Sequence, residues 1–175
     1  LRESTIAISG VGKVGSKLSK LLFEKKANLI VSNVGSDPID QLKHDKIFFK
    51  ESDINSIFEQ ECDVISPCAL GGAINSETKK KLKCKAIVGA ANNQLDRPET
   101  AEWLKKNNIF YAPDYLVNSG GVIAISCEIN NSEDALDGQL NKISDKILSL
   151  LKESKESNLS TDKIVEDLAW KRINI

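Results

Sequence analysis

The sequence predicts an α/β fold, a doubly wound and mostly parallel sheet followed by C-terminal helices, and three observations carry that expectation. Short apolar runs alternate with helix-like segments from Ile6 to Tyr111. The runs, Leu29-Ile30-Val31 and Ala86-Ile87-Val88 among them, lack polar alternation, as strands covered by helices on both faces do. A glycine-rich turn joins the first run directly to an amphipathic segment.

The strands are expected at Ile6–Ser9, Leu29–Ser32, Ile47–Phe49, Val64–Ser66, Ala86–Val88 and Ile109–Tyr111, and their spacing reads as repeated β-α-β units. The first crossover helix carries Val14, Leu18, Leu21 and Leu22 at i, i+4, i+7 and i+8, with lysines 13, 17, 20, 25 and 26 elsewhere, which predicts one apolar stripe. Lys79-Lys80-Lys81, beside Glu77, reads as a solvated helix face. From Glu133 to about Glu156, Leu136, Leu140, Ile143, Ile147 and Leu150 recur at spacings of four and three, the period of a long helix. After a break at Ser157-Asn158, Ser160-Thr161-Asp162 reads as a cap opening a last helix through Ile164, Leu168 and Ile173. With no internal repeat or low-complexity linker, residues 1–175 are expected to form one domain that includes the helices at about 133–175.

The 175 residues are 41% hydrophobic and 28% charged, an ordinary globular composition that excludes disordered and collagen-like chains. No apolar run approaches the roughly 18 residues of a membrane span. Lysine and arginine number 24 against 25 acids, and the net charge of -1 gives no electrostatic case for a nucleic acid or an anionic membrane, so a small-molecule ligand is expected. Cysteines 62, 68, 84 and 127 form no C-x-x-C pair, and His44 is the sole histidine. No metal site or disulfide framework is therefore expected, and the thiols read as those of a reduced, cytoplasmic protein. The absence of methionine, even at position 1, leads to the expectation that the chain is a processed product or a piece of a longer one.

Gly10-Val11-Gly12-Lys13-Val14-Gly15 follows the first strand and opens the first helix, the context in which G-x-G-x-x-G binds a dinucleotide. Gly10 allows the tight turn, Gly12 lets a diphosphate approach the backbone, and Gly15 lets helix and strand pack closely. The backbone N–H groups of Gly10, Val11, Gly12, Lys13 and Val14, with the helix dipole, are the candidate diphosphate ligands. The acid that this fingerprint places at the end of the second strand, to meet the adenosine ribose, is replaced by Asn33. An amide accepts a hydrogen bond but lacks the charge that repels a 2′-phosphate, while Asp37 follows nearby and no arginine does. NAD is expected, with NADP as the alternative.

Three further loops follow strand ends: Ser66-Pro67-Cys68-Ala69-Leu70-Gly71-Gly72, Gly89-Ala90-Ala91-Asn92-Asn93-Gln94-Leu95, and the segment from Tyr111 to Val122 containing Asn118-Ser119-Gly120-Gly121. With the glycine turn, they resemble the cofactor domain of leucine dehydrogenase and its glutamate, phenylalanine and valine relatives. The resemblance implies a Rossmann domain of an enzyme that deaminates an L-amino acid oxidatively to its 2-oxo acid and ammonia, passing hydride to the nicotinamide. It implies that Cys68 and Ala69 line the cofactor cleft, with Ala91 in the neighbouring loop. It places Asn93 beside the nicotinamide and substrate, and Asn118 near the carboxamide end. Val122 and Ile125 match positions that touch the substrate side chain, and suit an aliphatic, leucine-like amino acid. Read without the resemblance, Asn118 is equally a helix cap, Val122 and Ile125 ordinary core residues, and Cys68 a small buried thiol.

Ala124 stands where the leucine branch often has a polar residue. The family's catalytic lysine and aspartate lie in a separate preceding domain, which is expected to be absent here, so the chain alone should not turn over. The full protein is expected to be a homo-oligomer. A non-catalytic nucleotide-sensing domain, as in regulators of potassium transport, is the alternative from another class, and a shikimate- or malate-type dehydrogenase is a further one.

Overall fold

The computed structural model describes residues 1–173. Its six strands are β1 (Thr5–Ser9), β2 (Asn28–Ser32), β3 (Lys50–Glu51), β4 (Val64–Pro67), β5 (Ala86–Ile87) and β6 (Phe110–Tyr111). They pair in the order β3-β2-β1-β4-β5-β6, all parallel, the order of a doubly wound dinucleotide-binding sheet. The chain leaves β1 toward β2 and β3 and then returns to the other side of β1 at β4. That reversal opens a crevice above the carboxyl ends of β1 and β4, where Ser9 lies in register with Pro67.

Alternate residues of the central strands feed two separate cores. Ile6, Ile8, Leu29 and Val31 pack with Leu22 of α1 (Lys13–Glu24) and with Ile39 and Leu42 of α2 (Asp37–His44). On the other face, Ala7, Ile30, Ile65 and Ile87 pack with Ile57, Phe58 and Leu104, the last from α3 (Glu99–Lys106). Both faces are thus sealed, which explains the uninterrupted apolar strands. Beyond β6 come α4 (Asp114–Val117), α5 (Gly120–Ile129), α6 (Leu136–Ser157) and α7 (Thr161–Ile173). Asn158, in the left-handed conformation, ends α6 at the expected break. Ser160 caps α7, accepting from Lys163 N–H at 3.4 Å and donating to Glu102 at 2.5 Å, while Thr161 donates to the Tyr111 carbonyl at 2.6 Å. These bonds moor α7 to α3 and to the end of β6.

Two sequence-based expectations need correction. The third strand pairs at Lys50–Glu51, not at Ile47–Phe49, because Ile47 fills the core beside Leu42 and Phe48 turns outward against Phe23, with ring centroids 5.9 Å apart. In α1 the buried line is Gly15, Ser19 and Leu22, with Leu18 beside it, whereas Val14 and Leu21 are more than half exposed. The close packing of Gly15 against the turn sets the helix so that Gly15 and Ser19 face the sheet with Leu18 and Leu22, while Val14 and Leu21 turn outward. The lysine cluster lies in a short 3-10 turn, where Lys81 pairs with Glu59 at 2.8 Å and Lys79 sits over the Trp103 ring. The helices at 133–173 lie where expected, and residues 174–175 of the expected domain lie outside the described residues.

Candidate cofactor cleft

The glycine turn leaves β1 through Gly10, whose φ of +94° and whose contact with Ala69 both require glycine: an added Cβ would stand 2.6 Å from the Ala69 Cβ. A Cβ on Gly15 would stand 2.0 Å from the Gly10 carbonyl oxygen. Gly12 is different. Its φ of -67° lies outside the left-handed region that calls for glycine, and no atom lies within 4 Å of where its Cβ would be. Packing within the chain does not require glycine there, and the open space leaves room for a ligand to lie against the backbone. The first turn of α1 also has no capping side chain and no acid, so its N–H groups and dipole face the open space uncompensated. These features fit a dinucleotide diphosphate.

Each later loop packs on the one before it. Cys68 N–H donates to the Ser9 carbonyl at 2.8 Å, setting the Cys68-Ala69 segment against the glycine turn, with Ala69 exposed and Cys68 half-buried. Gly89 lies so close to Pro67 that a Cβ would stand 2.3 Å from its carbonyl oxygen, and Ala91 N–H donates to that oxygen at 3.0 Å. Gly72 N–H donates to the Asn93 carbonyl at 2.7 Å, and Asn93 itself adopts a left-handed φ of 51°. Asn118, at the end of α4, donates from Nδ2 to Asn92 Oδ1 at 2.6 Å. The fold therefore brings Gly10, Ala69, Ala91, Asn93 and Asn118 into one continuous row along the carboxyl edge of the sheet. Asn118 closes α4 through its backbone, its N–H donating to the Asp114 carbonyl at 2.8 Å, while its side chain caps no helix and ties two loops together.

Asn33 stands at the start of this row, at the end of β2. Its Oδ1 accepts from Val11 N–H at 3.1 Å and its Nδ2 donates to the Gly35 carbonyl at 3.0 Å. Val122 and Ile125 are not core residues: they are 72% and 58% exposed and, with Ile129, form an apolar stripe along α5. Nothing within the described residues seats that stripe against Asn93. Cys68 lies 3.5 Å from the Ser66 hydroxyl. His44 is exposed beside Asp45, away from the row.

Sequence reasoning missed the residues that hold the Asn93 loop in place. Asp114, buried at the start of α4, accepts from Gln94 N–H at 3.3 Å and from the Tyr111 hydroxyl at 3.2 Å. Gln94, also buried, donates from Nε2 to the Ala91 carbonyl at 2.9 Å and closes the loop on itself. Burial pushes the Tyr111 hydroxyl well above its ordinary range, with the Asp114 carboxylate adding to the effect, so Tyr111 remains a donor. Among the described residues no cluster of metal-ligating side chains and no membrane-crossing helix occurs.

Residues 31–167 match the Glutamate/Leucine/Phenylalanine/Valine dehydrogenase family. The chain belongs to that family. It is 37% identical to phenylalanine dehydrogenase of Thermoactinomyces intermedius over 99% of its length, covering 48% of that relative. It is 42% identical to leucine dehydrogenase of Bacillus subtilis (strain 168) over 78% of its length, covering 38% of that protein. The crystal structure of L-tryptophan dehydrogenase from Nostoc punctiforme superposes with a TM-score of 0.94 at 34% identity, over 99% of this chain and 53% of that one. The chain thus spans about half the length of these amino-acid dehydrogenases. These matches do not favour the nucleotide-sensing alternative.

Proposed function

We propose that residues 1–175 form the dinucleotide-binding domain of an NAD-dependent dehydrogenase that deaminates an aliphatic, leucine-like L-amino acid to its 2-oxo acid. The observation that carries this reading is the open cradle at Gly12, placed at the sheet's switch point and continued by the row of loops to Asn118. The first-turn N–H groups, Gly12 through Val14, receive the diphosphate, and the segment around Asn33 receives the adenosine end. Cys68, Ala69 and Ala91 line the middle of the cleft. Asn93 and Asn118 offer uncharged donors and acceptors at the nicotinamide end. When bound, the nicotinamide supplies the hydride acceptor for the substrate α-carbon. Val122 and Ile125 supply apolar contact for the substrate side chain, a selectivity of about 1–3 kcal/mol per methylene.

Proton transfer from the amino group requires a lysine and an aspartate of a preceding domain, and the whole protein is read as a cytoplasmic homo-oligomer. The free thiols at 62, 68, 84 and 127 agree with a reducing compartment. The chain alone is expected to produce no amino-acid-dependent NADH. Calorimetric titration of the chain with NAD and then NADP tests the reading, with Gly12→Val as control. NAD is expected to bind and the variant to lose it, whereas binding unchanged in the variant overturns the assignment. Tighter NADP binding would reverse the cofactor preference.

A further inference from the structure

Asn33 occupies the position from which this kind of sheet reads the adenosine ribose, yet the structure engages both ends of its side chain within the chain. Val11 is fully buried, and its N–H leaves the sheet at a point where no strand carbonyl meets it. Asn33 Oδ1 supplies the missing acceptor at 3.1 Å. The other end of the amide, Nδ2, holds the Gly35 carbonyl at 3.0 Å. The orientation of the amide is fixed by these partners, because reversing it would oppose donor to donor and acceptor to acceptor. A carboxylate satisfies Val11 N–H but sets an anionic oxygen against the Gly35 carbonyl. Asparagine is thus the side chain of this length that satisfies both sides.

We propose that Asn33 is a positioning residue, a clasp that joins the β2–α2 loop to the glycine turn and sets the turn for the diphosphate. The inference rests on the dinucleotide reading and assigns Asn33 a role within the chain itself, beside which one Oδ1 lone pair and one Nδ2 hydrogen are left over for a ligand. The clasp binds the segment that receives the ribose to the segment that receives the diphosphate, so that loosening one loosens the other.

The test combines amide exchange with binding. By NMR, Val11 N–H in the chain is expected to exchange about tenfold faster in Asn33→Ala, the worth of one hydrogen bond, and to keep its protection in Asn33→Asp, which retains an acceptor. Unchanged Val11 exchange in Asn33→Ala overturns the clasp. NAD and an NAD lacking the adenosine 2′-hydroxyl are then titrated against both the unsubstituted chain and Asn33→Ala. Weaker binding of both ligands in the variant, by a common factor of about three to ten, is expected. Loss of the discrimination between the two ligands, with binding of the 2′-deoxy ligand unchanged in the variant, would make Asn33 a ribose contact only and overturn the proposal. Failure of the unsubstituted chain to bind NAD or NADP contradicts the dinucleotide reading itself, and Val11 exchange still decides the clasp.

Discussion

The three glycines of the turn answer to three different physical demands, and substitutions separate them. At Gly15 an added methyl collides with the Gly10 carbonyl, so Gly15→Ala is expected to destabilise the fold by about 2–4 kcal/mol in urea unfolding. At Gly12 the space is open, so Gly12→Ala is expected to change stability by no more than about 1 kcal/mol, the scale of a helix-cap change, while weakening NAD binding. A second residue-scale effect concerns the paired core thiols. Burial pushes the Cys62 thiol up to about 12 and the Cys84 thiol up to about 11, against an ordinary value of 9.0. In both, the folded state favours the protonated thiol. Their contribution is complete below pH 9.0 and is lost as pH rises toward 11 and 12, by up to about 1.4 kcal/mol per pH unit for each thiol. Urea midpoints measured at pH 8 to 11 are expected to fall across that window, with Cys84→Ser showing a shallower slope.

At the scale of elements, what was legible in the sequence was whatever depends on apolar runs and turn chemistry. Strands β1, β2 and β4 fall within a residue or two of the runs that announce them, and Asn158 and Ser160 punctuate α6 and α7 as their residue types require. The failures have a common cause: hydrophobicity reports burial and not pairing. Ile47 and Phe49 are apolar because they fill the core beneath α2, yet the ladder begins only at Lys50, whose charge suits an exposed edge. In α1, Leu18 and Leu22 of the predicted stripe pack on the core, and close packing at Gly15 put Ser19 beside them in place of Val14 and Leu21. The motifs of the site were equally legible, but their internal wiring was not. No local pattern announces that Asp114 holds Gln94 from 20 residues away, or that Asn33 holds Val11 from 22. The mooring of α7 offers a direct check. Ser160→Ala removes its bonds to Glu102 and Lys163 and is expected to cost about 1–2 kcal/mol of stability, read from the urea midpoint.

At the scale of the whole molecule, the strand order places the loops after β1, β2, β4, β5 and β6 along one edge, and the contacts between successive loops make them a single surface. The cofactor reading requires that a dinucleotide lie along that surface, from Asn33 at one end to Asn118 at the other. The groove between α6 and α7, lined by Leu150, Val165 and Leu168 and reaching Leu116 of α4, is one competing concavity. Following backbone amide shifts during an NAD titration distinguishes them most directly. The expected result is a contiguous set of shifts through Gly12–Val14, Ala69, Asn93 and Asn118, with the α6–α7 groove silent. Shifts confined to that groove, or absent from the glycine turn at saturating NAD, would contradict the account.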